Sequence, residues 1–450
     1  MKIIYINIPQ KLKLWLILSL KYINLGEFVM IFLTTGEKIR SLRKKFNMRQ
    51  QELEDENITR AFISMIETGK RGLSRETAKI IAGKLNNKAK SLNIALKIDE
   101  DYLLRSPKQD AEIYCFDKLN NMPTQDEIEV IISIATRYSL IKTEAQAYKV
   151  LGDYEFNLRS YTNSFINYMI SLDLFKDTDE KCCLGYLYNR LGECKKNNKE
   201  FLEAISFFDR ANYYSMLYED KDMQKCCIYN MAEAYKSLGE IDKALKYIDT
   251  YLNIFNKETD FNNYIYINVL KANCYACKGN IEKAGSLYID LLDLCSDKEE
   301  VLLYIVYNYA IVNKEIDDFN NSLEYFNKAE EIAHKKDKKL LIDIYLKKAE
   351  IYKKKYQYNE ALYLAKSGLK LAQEHNDIDA VINSYYILID TYTFMEDFQN
   401  LKIVYTKLLD MLKNNKSYKE ELNKVYNRLA LLYLEQNDIE MCKKYLNMAS

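Results

Sequence analysis

The chain has 450 residues, 48% hydrophobic and 29% charged, with 65 Lys/Arg balancing 65 Asp/Glu. This composition excludes a disordered chain and leaves room for two or three domains. Only 12 Gly and 3 Pro occur, so helix breakers are scarce and an all-α fold is favoured. The first segment, residues 1–33, contains LWLILSL with a lysine on either side. A bilayer span takes about 20 apolar residues, so no membrane partner is expected. No small-residue cleavage site follows. Gly26-Glu27 back-translates to a purine-rich GGA-GAA or GGA-GAG just ahead of Met30. Residues 1–29 therefore read as a mis-called start or a disordered leader, with translation beginning at Met30.

Charge is uneven along the chain. Residues 36–98 hold 15 Lys/Arg against 7 Asp/Glu, while the remainder after residue 98 is acidic. A basic front on an acidic body points to a nucleic-acid-binding head on a carrier that does not bind nucleic acid. In this front, GEKIRSLRKKFNM places Ile39, Leu42 and Phe46 on one helical face. A second short helix begins at Gln50. A third runs from Thr59 to Glu67 with Thr59 as N-cap, and Gly69 supplies a positive-φ stop. A fourth spans about Ser74–Leu85, capped by Ser74. Short helices with short joints are the layout of a helix-turn-helix unit, set at residues 34–104.

The residues QQEL at 50–53 and ISMIETGKR at 63–71 resemble the XRE/lambda-repressor-like helix-turn-helix family. That resemblance implies that the third helix enters the major groove of a double-stranded DNA operator. Thr59, Arg60, Ala61 and Ser64 would then face base edges or nearby phosphates. Gln50 would cap the second helix against the DNA backbone, and Lys70 and Arg71 would meet phosphate. Arg43 and Glu67 would form an ion pair tying the first helix to the third. One departure stands out. The turn reads EDEN between Leu53 and Ile58, one residue short of the family pattern and lacking its Ala and Gly. The expected turn is tighter and more acidic, which puts the register of base contacts in doubt.

Arg105-Ser-Pro107 ends the head, and two helices near Asp110–Leu119 and Thr124–Ser139 fill a linker at 105–143. Beyond it, small residues recur at Gly152, Gly192, Ala232, Ala272, Ala310, Ala349 and Ala430, mostly 38 to 40 residues apart, with Ile389 in the missing place. Twelve residues after each comes Ser164, Ala204, Ala244, Ala284, Ser322, Ala361, Leu401 or Cys442. Four further on stands an apolar residue, often aromatic. Two antiparallel helices approach closely where both offer small side chains, and the aromatics fill the space toward the next pair. One pair cannot bury its own apolar face, so the units stack. YNRLGECKK at 188–196 and YNRLALLYL at 426–434 are near-duplicates. The pattern resembles the tetratricopeptide repeat (TPR), stretched to about 40 residues. The expected architecture is all-α: a lambda-repressor-like helix-turn-helix domain followed by a right-handed α-solenoid of about eight TPR-like helix pairs over 144–450.

A helix-turn-helix head on such a solenoid resembles the RRNPP family of peptide-responsive quorum-sensing regulators. The resemblance implies a cytoplasmic homodimer, a short signalling peptide in the concave groove, and DNA binding switched by that peptide. Asn side chains of the inner helices would grip the peptide main chain, since an amide donates and accepts at once. The candidates are Asn189, Asn230, Asn273, Asn308 and Asn427. A different reading makes the chain an interaction adaptor whose head is incidental or autoregulatory. An enzyme is not expected: only His334 and His375 occur, and no nucleophile motif or phosphate loop is present. The ten cysteines fit reduced thiols in the cytosol. Cys274 and Cys277 form a lone CxxC with no second ligand pair, so no metal and no cofactor are expected.

Overall fold

The computed structural model describes residues 20–24, 28–254, 260–295, 298–413 and 418–449. It divides into two compact units, residues 1–238 and 239–450. The first opens with an antiparallel hairpin of β1 (Leu20–Asn24) and β2 (Phe28–Phe32), in register Leu20 to Phe32 and Asn24 to Phe28. Beyond this hairpin the described elements are all helical, in line with the expected all-α fold. LKYIN and FVMIF carry the β-branched and aromatic residues that strands favour. The apolar run just before them drew the sequence reading instead. Phe32 also anchors the strand: its N–H donates to the Tyr138 hydroxyl at 3.1 Å, and its ring meets Tyr114 and Tyr138 edge-on. The rest of the expected leader, residues 1–19 and 25–27, lies outside the described residues.

The head begins with α1 (Thr35–Lys45), opened by a capping box between Thr34 and Glu37. Its last turn carries Arg43, Lys44 and Lys45, which suit the negative end of the helix dipole. The expected second helix is a single 3₁₀ turn, Gln50–Leu53. Then come α2 (Arg60–Glu67), capped by Thr59, and α3 (Arg75–Ser91), capped by Ser74. The α3 helix runs a turn and a half past the expected end, and its later residue Ala89 is buried with Ala82 and Leu85. Ile39, Leu42 and Phe46 join Leu53, Ile58, Ile63, Ile66 and Leu85 in one core.

After α4 (Glu100–Leu104) come α5 (Pro107–Leu119) and α6 (Gln125–Arg137). These two share a core with the first repeat helix, α7 (Ile141–Asn157): Ala111 and Tyr114, Ile128 and Ile131, Leu140 and Ala147 form one cluster. The head is tied to α5 by a buried charge group. Lys38 is fully buried, and its Nζ donates to the carbonyls of Tyr102 at 3.0 Å and Arg105 at 2.8 Å. It also pairs with Asp110, which receives Arg105 Nε at 2.9 Å. Burial pulls the Lys38 pKa below the usual lysine value, and Asp110 pulls it the other way.

The repeats follow as antiparallel helix pairs. The first unit adds α8 (Tyr161–Lys176), α9 (Cys183–Asn197), α10 (Phe201–Leu217) and α11 (Lys221–Ser237). The second unit holds α12 (Ile241–Ile254), α13 (Phe261–Cys277), α14 (Ile281–Leu294), α15 (Glu299–Glu315) and α16 (Phe319–Lys336). It continues with α17 (Lys338–Lys354), α18 (Tyr358–Glu374), α19 (Ile378–Phe394), α20 (Phe398–Lys413), α21 (Lys419–Glu435) and α22 (Ile439–Ala449). The small positions do what their spacing predicts. Ser164 Oγ donates to the Gly152 carbonyl, and Ser322 Oγ to the Ala310 carbonyl, each at 2.8 Å. A Cβ added at Gly192 would stand 2.5 Å from the Phe208 ring, so that glycine is needed for close approach. Tyr168, Phe208, Tyr288 and Phe326, each four residues past the second small position, are all fully buried.

Each first helix also ends the same way. The seventh residue after every small position has a left-handed backbone: Arg159, Lys199, Gly239, Gly279, Asp317, Tyr356, Glu396 and Asn437. Only two of these are glycine, which is why composition did not mark the helix ends.

Candidate functional site

Helix α2 is held from behind and open in front. Arg43 meets Glu67 through Nε at 2.6 Å and through its second guanidinium nitrogen at 2.9 Å. Gln50 Nε2 donates to the same carboxylate at 3.0 Å. Burial would raise the Glu67 pKa, but the Arg43 and Gln50 hydrogen bonds outweigh it and hold the carboxyl below its ordinary value. The ion pair thus stands where the resemblance put it. Gln50 donates one of its two amide N–H groups inside the head, to Glu67.

Along the front of α2, Ala61, Met65 and Thr68 are exposed and Ser64 is half-buried. Residues 61, 64, 65 and 68 form one helical stripe. Met65, 36% exposed, escaped the sequence reading because an apolar residue in a short helix reads as core. An exposed apolar side chain here suits the thymine methyl in the major groove. Thr59 uses its hydroxyl to accept from Phe62 N, so its side chain works as a cap. Lys70 is exposed beyond the helix, and the Arg71 guanidinium lies 4.7 Å from the Phe62 ring centroid. Arg60 is exposed at the first helical position, one residue off the stripe.

The short acidic turn is closed and partly neutralised. Asp55 and Ile58 exchange both backbone hydrogen bonds at 3.0 Å. Glu54 Oε1 accepts the Arg60 N–H at 2.8 Å, so a turn carboxylate caps the recognition helix. Lys84 of α3 pairs with Asp55 at 3.4 Å and donates to the Glu54 carbonyl, while Lys88 pairs with Glu52 at 3.2 Å. Two lysines one helical turn apart thus offset part of the acidity of this segment.

The five asparagines separate into different environments. Asn189 and Asn230 are buried and bonded to one another, Asn230 Nδ2 donating to Asn189 Oδ1 at 2.9 Å. Asn189 donates onward to Glu193 at 3.2 Å, and Lys196 donates to Asn230 at 3.3 Å and also pairs with Glu233. This chain of polar groups joins α9 to α11. Asn273 is half-buried and accepts from the Tyr288 hydroxyl. Asn308 is half-buried and donates to the Tyr304 carbonyl at 2.8 Å. Asn427 is exposed.

An acidic register went unread in the sequence. Asp153, Glu193, Glu233, Glu350 and Asp390 each follow a small position directly. Three accept a lysine from the preceding first helix: Lys196 to Glu233, Lys314 to Glu350, and Lys353 to Asp390 at 3.0 Å. Asp153 receives Arg190 at 3.4 Å and the Tyr186 hydroxyl at 2.6 Å. The recurrence at one repeat length is the signal that finds these ties. No disulfide is formed among the described residues. Among the described residues no His/Cys/Asp/Glu group is arranged to hold a metal, and no helix is long and apolar enough to cross a membrane.

Residues 39–90 match the helix-turn-helix family model, so the chain carries a helix-turn-helix DNA-binding domain ahead of its helical repeats. No curated protein matches the chain. Among solved structures, it is similar to the apo form of the quorum sensor NprR from B. thuringiensis, at 18% identity and TM-score 0.46, covering 76% of this chain and 98% of that one. NprR in complex with its cognate peptide NprX gives 16% identity and TM-score 0.43, over 76% and 98% of the two chains. A Rap protein complexed with competence and sporulation factor gives 12% identity and TM-score 0.43, over 92% and 97%. These are low-identity likenesses of helical chains.

Proposed function

We propose that the chain is a non-enzymatic, cytoplasmic transcriptional regulator of the RRNPP kind. It reads a DNA operator as a homodimer, and a short signalling peptide bound by its repeats switches that reading, as in quorum sensing. The observation that carries the proposal is the front of α2. The stripe Ala61, Ser64, Met65 and Thr68 stays open on a helix pinned by the Arg43–Glu67–Gln50 group, inside the segment that matches the helix-turn-helix family. A helix so held presents base-reading side chains without losing further freedom on binding.

The Asn189–Asn230 pair supports the peptide part. A peptide bond offers one donor and one acceptor, so main chain can replace the amide–amide bond one for one. Such an exchange would loosen or retie α9 against α11 and favour one packing of the repeats over another, as any switch requires. The test is a peptide library titrated into the protein–DNA complex. One peptide class should change operator affinity, and Asn230→Ala should weaken that peptide by roughly 1–3 kcal/mol beyond the loss of stability read in the thermal melt. A library without effect on the complex would remove the peptide from the account.

A second reading, the interaction adaptor, is favoured by one observation. Leu202, Tyr213, Met216 and Leu217 of α10 are 55% to 74% exposed. On that reading the purified chain prefers no DNA sequence and engages a protein through α10.

A further inference from the structure

Four places before the first small position, five of the eight repeats hold a tyrosine: Tyr148, Tyr188, Tyr345, Tyr385 and Tyr426. Tyr188 shows what that place is for. Its ring packs against Phe207 and Tyr214 of α10, with centroids 6.5 and 5.4 Å apart, and is almost fully buried. The Arg210 guanidinium lies 5.9 Å from the centroid of the same ring. Tyr426 meets Tyr445 of α22 in the same register, at 6.2 Å. In the repeat made of α15 and α16 the place falls to Val306. Counted from the second small position, Tyr325 and Ile332 stand where Phe207 and Tyr214 do, and Lys328 stands where Arg210 does. All three line an open cleft of about 380 Å3, with Val306, Leu292 and Leu302 as its apolar floor and wall.

The cleft is a ring site whose own ring is missing. Besides Lys328, one carboxylate, Glu331, lines it. The Lys328 ammonium lies 4.8 Å from the Tyr325 ring centroid and pairs with the exposed Glu324 at 2.8 Å. We infer that this cleft binds a small aromatic molecule with a hydroxyl or amine on its edge, which takes the place that tyrosine fills in the sibling repeats. The ring packs between Tyr325 and Ile332, and aromatic pairing with Tyr325 adds to the apolar burial. Lys328, on its flexible stem, covers the ring as Arg210 covers Tyr188. Glu331 accepts a hydrogen bond from the edge group. The volume lies within the range of roughly 300–1,000 Å3 typical of small-molecule pockets. A molecule seated here touches α14, α15 and α16 together, and so ties one helix pair to the pair before it. The inference stands apart from the DNA and peptide readings.

The probe is p-cresol, the side chain of tyrosine, followed by saturation-transfer NMR on the full chain. Cyclohexanol is the non-aromatic control of similar size. The wild type should bind p-cresol with a millimolar dissociation constant, more tightly than cyclohexanol. Val306→Tyr supplies the ring from within the chain. It should abolish the p-cresol signal and leave the melting temperature equal or higher, because it fills a void. Lys328→Gln, at an exposed position, should weaken p-cresol about two- to fivefold and leave cyclohexanol unchanged. If Val306→Tyr does not fold, the lysine variant decides alone. An undiminished p-cresol signal in a folded Val306→Tyr chain would place the probe elsewhere and overturn the site. So would an unchanged p-cresol affinity in Lys328→Gln, or no transfer to the wild type at millimolar probe. The peptide glycyl-tyrosyl-glycine binding more tightly than p-cresol would give the cleft to a polypeptide and overturn the small-molecule assignment.

Discussion

Glu67 receives Arg43 and Gln50 together, and this one carboxylate ties α2 to α1 and to the 3₁₀ turn. Its folded pKa lies below the ordinary 4.5, because those hydrogen bonds outweigh burial. A carboxyl with a depressed folded pKa binds its proton less readily when folded than when unfolded. The stability it contributes is therefore complete above about pH 4.5 and fades as pH falls through the folded value. Melting temperature followed down from pH 6 should drop in that window. Glu67→Gln should flatten the drop while costing about 2 kcal/mol near neutral pH, since it leaves Arg43 half-buried without its partner. An acid profile identical in the variant would remove Glu67 from the account. The pairing of Arg43 with Glu67 was legible because the motif around it is local and repeated in a known family. The pairing of Lys38 with Asp110 was not, for it joins positions far apart in the chain that share no pattern.

At the scale of elements, the repeat was readable from its small positions alone. Close helix approach demands a missing side chain, and the demand returns at a fixed interval. What ends each first helix was not readable. The left-handed residue is Gly at 239 and 279 but Lys at 199 and Tyr at 356, so the backbone requirement is met without its usual marker. A non-glycine residue held there carries a penalty of roughly 1–2 kcal/mol, partly offset by the greater freedom glycine has when unfolded. Lys199→Gly is thus expected to stabilise the chain by about 0.5–1 kcal/mol in chemical unfolding. A destabilisation would mean that the Lys199 side chain makes a contact worth more than the strain. The hairpin shows the opposite limit. Its strands are short, and the apolar run before them offered a competing reading.

For the whole molecule, a basic head precedes an acidic repeat region. On the proposed reading, that asymmetry would draw the head to DNA and disfavour binding of DNA by the repeats. Within each unit the first helices are laced by acid–base ties, such as Lys196 with Glu233 and Lys353 with Asp390. Bonds of this kind between successive repeats can re-form with a shifted partner, and the proposed peptide would act on them. The candidate asparagines were found by residue type and by resemblance. Sequence could not tell that Asn189 and Asn230 satisfy each other while Asn427 stands exposed, because burial depends on how adjacent helices pack.

The central claim is that this chain reads DNA sequence through α2. The most direct test is the affinity of the full chain for a selected duplex against a scrambled one, measured from low to physiological salt. The account predicts a ratio of at least about 10³ that survives added salt, with both affinities falling steeply as salt rises. Equal affinities at every salt concentration would contradict it and leave the repeats as the working part of the molecule.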